Sequence, residues 1–345
     1  MKTKTIHAKP RTFHIPVDRR RFFKSMAAVS AGFTLSRYLA EALTATPGST
    51  QGPFYPLADD IALDKDNDLV QLGDNLTAAT GTVTYVIGRV LDTNGTPIRN
   101  ALVELWHADH EGDYQYSADV GRNPACDANF AGFGQFLTGS SGAFKFRTIK
   151  AGLYPGRARH FHWGITVPGR PTRFATQTGW NEIAIGLNGQ PWATQNSNDG
   201  VFATIPAAQR ASLILDFTAV PGTTGEEQAT WDFVSGFTPV EPTYPGGGSL
   251  VTSGTLVSGP AGGNPRNRIN VPGYTGYTYE IYGNPTLADL EWRALPFSIT
   301  QTGSIDRHKH TATSEGALSF YVEAKAVKGF YKVSFRPPGA NTGTP

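Results

Sequence analysis

The chain has 345 residues, long enough for two ordinary domains, and carries 30 Lys and Arg against 28 Asp and Glu, a formal net charge of +2. This balance shows no basic excess that would predict a nucleic-acid partner, and 39% hydrophobic with 17% charged residues excludes a disordered polyelectrolyte. A single cysteine, Cys126, excludes an internal disulfide framework and a thiolate zinc cage. Any metal site must therefore use His, Tyr or carboxylate ligands.

The first segment, residues 1–42, has the pattern of an export signal. A basic stretch at 18–24 precedes a short apolar run at 25–33, and Ala40-Glu41-Ala42 follows as a small-x-small cleavage site. The adjacent arginines resemble the twin-arginine signal, which predicts a periplasmic, cell-surface or extracellular protein. The apolar run is too short for a stable membrane span in the mature chain. The alternative is a basic amphipathic helix on the folded protein.

The pattern from residue 82 onward predicts strands. We expect strands over 83–90, 101–106, 159–167 and 212–219, and a hairpin of 136–138 with 144–149 around the turn Gly139–Gly142. Residues 43–238 are therefore predicted to form an antiparallel β-sandwich. The acidic stretch before it, with Asp64, Asp66 and Asp68, lacks the spacing of a calcium loop and is interpreted as solvated.

A second, smaller unit is predicted after a linker. Residues 239–249 are rich in Pro and Gly, and residues 250–337 contain further strand patterns, followed by a tail at 338–345. The fold class is thus all-β, an antiparallel sandwich followed by a second, smaller sandwich. We expect the second unit to be an accessory that binds a polymer or a cell surface or mediates assembly, and a homo-oligomer is compatible with the sequence.

One group of residues points to metal chemistry. His160 and His162 alternate in a strand pattern, so both imidazoles face one side about 7 Å apart along the chain. Alone, such a pair is more often structural. Tyr154 precedes a tight Pro-Gly turn that returns the chain to this strand, and Tyr114 lies in a loop after another strand. Two Tyr and two His suit Fe(III), which is acidic enough to deprotonate a phenol of pKa about 10.

Several ordered motifs between residues 50 and 237 resemble the intradiol ring-cleavage dioxygenases, the family of protocatechuate 3,4-dioxygenase and catechol 1,2-dioxygenase. The motifs are QGPFYP at 51–56, GRV at 88–90, GTP at 95–97, VELWHAD at 103–109, GDY at 112–114, DANFAGFG at 127–134, FKFRTI at 144–149 and YPGRARHFH at 154–162. The interval from Tyr154 to His160 is short and resembles the exported branch of the family. The second unit is not required by the family.

The resemblance implies a non-haem Fe(III) site and the residues that build it. Tyr114 and Tyr154 correspond to the equatorial and axial tyrosinates, and His160 and His162 to the imidazole ligands. Arg157 corresponds to the arginine that stabilises the bound catechol ring, although strand alternation alone would point its side chain away from the histidines. Gln177 corresponds to a glutamine near the iron.

The implied reaction inserts both atoms of O2 into a catechol-type aromatic and cleaves it between the two hydroxylated carbons, giving a cis,cis-muconate-type diacid. The partners are then a small catechol and O2, with no nicotinamide or flavin. The alternative is a non-catalytic prealbumin- or adhesin-like sandwich that binds a ligand at the cell surface. A metallohydrolase is a third option, but no HExxH motif or carboxylate at ligand spacing accompanies the histidines.

One segment and four further residues are assigned no chemistry. The segment His308-Lys309-His310 lies between charged residues and is interpreted as a solvated loop. His107 and His110 are expected to play supporting or surface roles, Cys126 is expected to be inert, and Trp106 is interpreted as a core residue.

Overall fold

The structure is a computed structural model that describes residues 42–56, 61–72, 77–117, 121–170, 172–181, 199–239, 254–284, 293–324 and 330–336. The predicted signal segment 1–42, apart from its last residue, lies outside the described residues. So do the tail 338–345 and all of the linker 239–249 except its first residue. The domain boundaries drawn there stay predictions. Within the described ranges, no helix has the length and apolar character needed to span a bilayer.

Strands dominate the described chain, which confirms the all-β prediction. The first unit contains β1 (Val83–Asp92), β2 (Leu102–Trp106), β3 (Tyr116–Ser117), β4 (Gly121–Arg122), β5 (Phe133–Leu137), β6 (Ala143–Ile149), β7 (His160–Thr166), β8 (Phe174–Trp180), β9 (Ile214–Leu215), β10 (Thr218–Ala219), β11 (Glu227–Thr230) and β12 (Phe233–Ser235). One short helix, α1 (Ala207–Arg210), lies between the 3-10 turns Phe202–Thr204 and Ala211–Leu213.

Two five-stranded sheets form the first unit. In one, β1 pairs with β6 in antiparallel fashion and with β11 and β12 in parallel, and β10 extends the sheet beyond β11. The other has the order β5-β2-β7-β8-β9, antiparallel except for β8 with β9. The antiparallel sandwich prediction thus holds for most pairs, and the parallel pairs are made by β9, β11 and β12 in the last part of the first unit.

The predicted hairpin around Gly139–Gly142 is wrong. β5 pairs with β2, whereas β6 pairs with β1 in the other sheet, so the turn carries the chain from one layer to the next. The local pattern of two strands and a Gly-rich turn is the same in both cases. Only the partners available in the sandwich distinguish a hairpin from a crossover.

The core lies between these two sheets and is rich in aromatic side chains. Alternate residues of each strand point inward, such as Phe144 and Phe146 of β6 and Phe161 and Trp163 of β7. A glycine is needed at position 88, because a Cβ there would lie 1.7 Å from the backbone oxygen of Trp231. The close approach lets β11 and β12 continue alongside β1.

The opposite face of the β5-β2-β7-β8-β9 sheet, which we call the outer face, is also buried. Leu102, Glu104 and Trp106 of β2 point to it, because their neighbours Val103 and Leu105 point into the core. Its two ends differ in composition. One end carries His162, which pairs with Trp106 across the sheet, and the other carries Leu102 and Leu137.

The C-terminal unit contains two further sheets. Its strands are β13 (Gly254–Val257), β14 (Arg266–Gly273), β15 (Thr278–Asn284), β16 (Arg293–Leu295), β17 (His310–Thr311), β18 (Gly316–Glu323) and β19 (Phe330–Arg336). One sheet has the order β13-β14-β18; in the other, β15 pairs with β16, β17 and β19. Buried side chains such as Ile269, Ile281 and Phe320 form a separate core. His310 opens β17 and is partly buried, so the interpretation of 308–310 as a solvated loop is wrong for this residue.

The C-terminal unit packs on the outer face of the first. Leu102 and Leu137 form a hydrophobic cluster with Tyr282 and Ala294. Beside it, Lys65 and Glu280 form an ion pair at 2.5 Å in which each side chain is 2% exposed.

The acidic stretch belongs to the same region. Asp68 binds Arg147 at 2.9 Å, and Asp66 lies 3.6 Å from Arg293, with both carboxylates about one-seventh exposed. The interpretation of this stretch as a solvated loop is therefore wrong for these two residues.

Candidate metal centre

Four side chains predicted as ligands come from three chain segments. His160 and His162 are the first and third residues of β7, so both point to the outer face, and His162 is flanked by Trp106 on β2 and by Gln177 on β8. Tyr114 lies in the loop after β2, and Tyr154 in the loop between β6 and β7. The strand fixes the histidines, and the two loops bring the phenols over them.

The four donor atoms converge on one point. The Tyr114 hydroxyl lies 3.2 Å from His160 Nε2 and 2.9 Å from His162 Nε2. The Tyr154 hydroxyl lies 3.2 Å from His160 Nε2, and the two Nε2 atoms lie 3.2 Å apart. Ligands held about 2.0–2.1 Å from one ion are separated by distances of this size.

The close contacts among these four side chains cannot all be hydrogen bonds. His160 Nδ1 lies 2.6 Å from the Ala158 carbonyl, which can only accept, so Nδ1 carries the proton and Nε2 keeps a lone pair in the neutral ring. That one lone pair faces Tyr114, Tyr154 and His162, and it can accept one good hydrogen bond. A cation at the common centre would satisfy every donor atom at once.

Burial keeps the imidazoles neutral, as metal ligation requires. Burial, assisted by Arg157, lowers the pKa of His160 to about 4. Burial and then the neighbouring His160 lower the pKa of His162 well below its usual value. In the metal-free protein, burial and then Tyr154 raise the pKa of Tyr114 well above 10, and burial raises that of Tyr154 although Arg157 opposes it. Both phenols therefore keep their protons until a strong Lewis acid displaces them.

The donor set fits Fe(III) better than zinc. Among the residues that the structure describes, no three His, Cys, Asp or Glu side chains come together to hold a metal. The candidate centre instead combines two neutral imidazoles with two phenols, and phenolate oxygen is a hard donor that favours a trivalent ion. We find the residues present to be a suitable ferric site.

Arg157 and Gln177, the two other predicted site residues, lie beside these four side chains. Arg157 Nη2 donates to Gln177 Oε1 at 2.6 Å, and Nη1 lies 3.4 Å from the Tyr154 hydroxyl. Arg157 precedes β7 by three residues and lies in a turn, so the alternation that would point it away does not apply to it. Gln177 is fully buried, and its Nε2 donates to the Thr50 carbonyl at 2.9 Å.

Three residues that the sequence did not assign to the centre pack directly against it. Trp106 stacks on His162 with ring centroids 5.1 Å apart, and Phe54 stacks on Tyr114 at 4.1 Å. Gly52 has a φ of +72°, and a Cβ there would lie 3.0 Å from His162 Cε1. Trp106 is buried as predicted, but it contacts a candidate ligand. The QGPFYP motif could have indicated Gly52 and Phe54, because it covers the centre.

A buried polar network ties that covering segment to the sheet. Arg173 donates to Gln51 Oε1 at 2.6 Å and lies 3.8 Å above the Tyr55 ring. Glu104 accepts from Tyr55, Gln135 and Arg173. Because this carboxylate is buried and paired, it fixes residues 51–55 against β2 and β5.

The other singled-out side chains lie away from the donor atoms. His107 is fully buried and contacts Thr148 Oγ1 at 2.6 Å, and burial lowers its pKa to about 3, so it is a core residue and not a surface one. His110 is partly exposed and pairs with Glu111 at 2.9 Å. Burial, with Asp109, raises the pKa of the Cys126 thiol, which agrees with the expectation that it is inert.

Asp199 is the functional candidate that the sequence did not reveal. It lies 42 residues from Arg157, yet its Oδ2 accepts from Arg157 Nε at 2.8 Å and from the Ala158 amide at 2.7 Å. Burial acts to raise the pKa of Asp199, but the hydrogen bonds from Arg157 and from backbone amides outweigh it and lower the pKa. No motif predicts this contact.

Comparisons with known proteins identify the segment that carries the centre. A family model described as "Dioxygenase" matches residues 51–178, which include every predicted site residue. The chain is 34% identical over 160 residues to the protocatechuate 3,4-dioxygenase beta chain of Burkholderia cepacia, covering 44% of this chain and 63% of that one. It is 27% identical over 195 residues to catechol 1,2-dioxygenase 2 of Acinetobacter lwoffii, covering 49% and 61%.

A solved structure of the dioxygenase domain from a dioxygenase carbohydrate-binding protein fusion of Streptomyces sp. SirexAA-E is 27% identical, covering 55% of this chain and 97% of that one, with a TM-score of 0.38. The chain spans less than two thirds of the length of the curated relatives described above. Residues 51–178 therefore resemble the dioxygenase family that this model describes, and the similar curated proteins named above are intradiol ring-cleavage dioxygenases.

Proposed function

We propose that this chain is a non-haem ferric intradiol dioxygenase. It would insert both oxygen atoms of O2 into a catechol-type ring and cleave the bond between the two hydroxylated carbons, so that catechol and O2 together become one muconate-type diacid. The observation that carries the proposal is the convergence of Tyr114, Tyr154, His160 and His162, whose donor atoms are linked by four contacts of 2.9–3.2 Å.

The four side chains would hold the ion, which would supply the Lewis acidity that ionises the two phenols and a bound catechol. Tyr114 is 7% exposed, whereas Tyr154 is only partly buried and contacts Arg157. A substrate would therefore approach from the side of Tyr154. The Tyr154 oxygen, once ionised, is placed to accept a proton from an incoming catechol hydroxyl.

Arg157 and Gln177 would act on the substrate from the same side. The guanidinium is fixed by Asp199, Gln177 and the Tyr154 hydroxyl, so its charge is oriented before the substrate binds. Negative charge that develops on the ring during cleavage would be stabilised by this prepositioned cation. Residues 51–55, with Gly52 and Phe54 against the ligands, exclude water from the other side.

A non-catalytic binding sandwich is less well supported. It would account for the strands, but it gives no reason for four buried metal-ligand side chains that share one centre. The relatives named above are dioxygenases of protocatechuate and catechol. Hydroxyquinol 1,2-dioxygenase of Nocardioides simplex is also similar, at 31% identity over 118 residues. These three catechols form the test panel.

We also propose that the protein is exported through the twin-arginine route. The first 42 residues contain nine Lys and Arg and two Asp and Glu, so their removal would leave a net charge of −5. Fractionation of cells that express the full chain should place it outside the cytoplasm. Replacement of Arg19 and Arg20 with Lys should retain it inside, and an unchanged location would contradict the proposal.

The first experiment is a visible absorption spectrum of the purified chain together with its iron content. We expect about one iron per chain and a tyrosinate-to-iron charge-transfer band that shifts when catechol is added. Oxygen uptake and diacid formation would then be measured with protocatechuate, catechol and hydroxyquinol. A colourless, iron-free protein that stays colourless after reconstitution with iron would overturn the proposal.

The matched control is Tyr154→Phe. It removes one hydroxyl and keeps the ring, which packs edge-on against Phe54 and Tyr114. We expect the variant to remain folded and to bind iron with an altered band. Retention of the wild-type band would show that Tyr154 is not a ligand.

A further inference from the structure

Asp199 is a fully buried carboxylate with four hydrogen-bond donors. Its Oδ1 accepts from the amides of Val201 and Phe202, at 2.8 and 3.0 Å, which fixes it at the start of a 3-10 turn. Its Oδ2 accepts from Arg157 Nε and from the Ala158 amide, at 2.8 and 2.7 Å. The residue lies outside the segment 51–178 that the family model matches.

The contact between Asp199 Oδ2 and Arg157 Nε helps to determine where the guanidinium points. Arg157 presents Nε to Asp199, Nη2 to Gln177 and Nη1 to the Tyr154 hydroxyl. A planar guanidinium held at three corners has one orientation. Of these partners, only Asp199 carries a formal negative charge in the metal-free protein.

The second contact reaches a ligand through one peptide. The Ala158 amide donates to Asp199, and the Ala158 carbonyl accepts from His160 Nδ1 at 2.6 Å. That hydrogen bond keeps the Nε2 lone pair of His160 directed at the centre. One carboxylate oxygen therefore fixes both the cation beside the centre and the peptide that orients a ligand.

We propose that Asp199 is a positioning residue, which acts through Arg157 and through the Ala158 peptide to align the guanidinium and the His160 ring. The inference rests on the proposed function for its kinetic test, and it makes a separate claim about the metal-free protein. Asp199 does not touch the substrate site itself; it is the contact by which a segment beyond residue 178 completes that site.

Asp199→Asn tests this with little change in shape. If the amide oxygen occupies the Oδ1 position, it still accepts from Val201 and Phe202, but an NH2 group then faces Arg157 Nε and the Ala158 amide, which are donors themselves. We expect kcat/KM to fall by about 10–100-fold, mostly through kcat, because loss of a partner that orients a ligand has effects of this size. Asp232→Asn is the control, since Asp232 also accepts from a guanidinium and a backbone amide, those of Arg89. It should change kcat/KM less than about 2-fold.

A double-mutant cycle distinguishes positioning of Arg157 from a purely structural role of Asp199. If Asp199 acts through Arg157, Asp199→Asn should reduce kcat several-fold less in an Arg157→Ala background than in the wild type. Equal effects in the two backgrounds would show that Asp199 supports the fold without positioning Arg157, and would overturn the inference.

The second readout needs neither iron nor turnover. In the metal-free protein, the Arg157 Nε–H resonance, identified by its loss in Arg157→Lys, should exchange slowly with solvent in wild type. It should exchange at least about 10-fold faster in Asp199→Asn and be unchanged in Asp232→Asn. If wild type turns over no catechol but this difference appears, the proposed function fails and the positioning role stands. If wild type turns over substrate and Nε–H exchange is the same in Asp199→Asn, the positioning role fails alone.

Discussion

The outer face of the β5-β2-β7-β8-β9 sheet has a buried polar group near each end. The two groups differ in how their buried polar atoms are satisfied. At the interface with the C-terminal unit, Lys65 and Glu280 are opposite charges that satisfy each other at 2.5 Å. At the candidate metal centre, the imidazoles of His160 and His162 and the two phenols face one another with lone pairs that protons cannot fully satisfy.

The difference separates structural burial from functional burial. Two compensating charges satisfy each other and need no ligand. Converging uncharged donors instead have lone pairs that point at one position, and only an added cation at that position satisfies them all. The same sheet face supports both because Leu102, Leu137 and their partners exclude water at one end, and Trp106 with the covering segment excludes it at the other.

The largest effect is expected when a donor is removed from the centre. His162→Ala should lower iron affinity by more than about 100-fold and abolish turnover, because loss of a ligand costs more than loss of a supporting contact. His110→Ala changes a partly exposed histidine outside the donor cluster and should leave both unchanged. Iron content after dialysis against a chelator measures this, and an iron-replete, active His162→Ala variant would remove His162 from the ligand set.

At the interface end, removing one member of the ion pair should destabilise the protein more than replacing both members with apolar residues. Glu280→Ala removes the carboxylate that binds the buried Lys65 ammonium and should lower the free energy of unfolding by about 3–5 kcal/mol, whereas Lys65→Met with Glu280→Leu should be nearly neutral. Asp306→Ala removes the partner of Arg307 from an exposed pair and should cost no more than about 1 kcal/mol. Urea unfolding measures all three, and equal losses for the single and double interface variants would contradict the comparison.

Two buried groups should also give stability opposite dependences on pH. In the core of the first unit, His107 has its pKa lowered to about 3, so between about pH 3 and 6.5 the unfolded chain binds a proton there that the folded chain does not. Stability should therefore fall as the pH is lowered, by about 1.4 kcal/mol per pH unit for such a group.

At the interface end, Asp66 has its pKa raised to about 7 by burial, although Arg293 opposes this. Between about pH 4 and 7 the folded chain holds a proton that the unfolded chain has lost, so this contribution falls as the pH rises. Urea unfolding of the metal-free protein against pH, compared with Asp66→Asn and His107→Gln, should show each variant lose the contribution of its own residue, while His160 and His162 keep theirs on the acid side. A variant with the wild-type slope would contradict the assignment of that slope to its residue.

The smallest effect concerns the backbone above the centre. Gly52→Ala places a methyl group 3.0 Å from His162 Cε1 at a φ of +72°, and should lower the free energy of unfolding by about 1–2 kcal/mol and weaken iron binding. Gly222→Ala introduces similar strain, at a φ of +79°, with no atom within 4 Å of the new Cβ. It should lower stability without changing iron binding. Equal iron affinity in both variants would show that Gly52 does not position His162.

The sequence by itself determined many of the strands and marked the candidate ligands. Alternation predicted that His160 and His162 share a face, and the strand patterns predicted two all-β units, because both depend on the backbone period of two. The motifs marked Tyr114, Tyr154, Arg157 and Gln177, which the structure brings together. These features are local or depend on short motifs, so each can be predicted from its own segment of the sequence.

Only the tertiary structure decided which segments meet. It turned the predicted hairpin of β5 and β6 into a crossover, and placed the largely buried Asp66 carboxylate 3.6 Å from Arg293 of the C-terminal unit. It also placed Asp199 against Arg157, 42 residues away along the chain. Each of these outcomes depends on which partner surface is available after the sheets pack, and residues that are far apart in sequence carry no periodic signal of that packing.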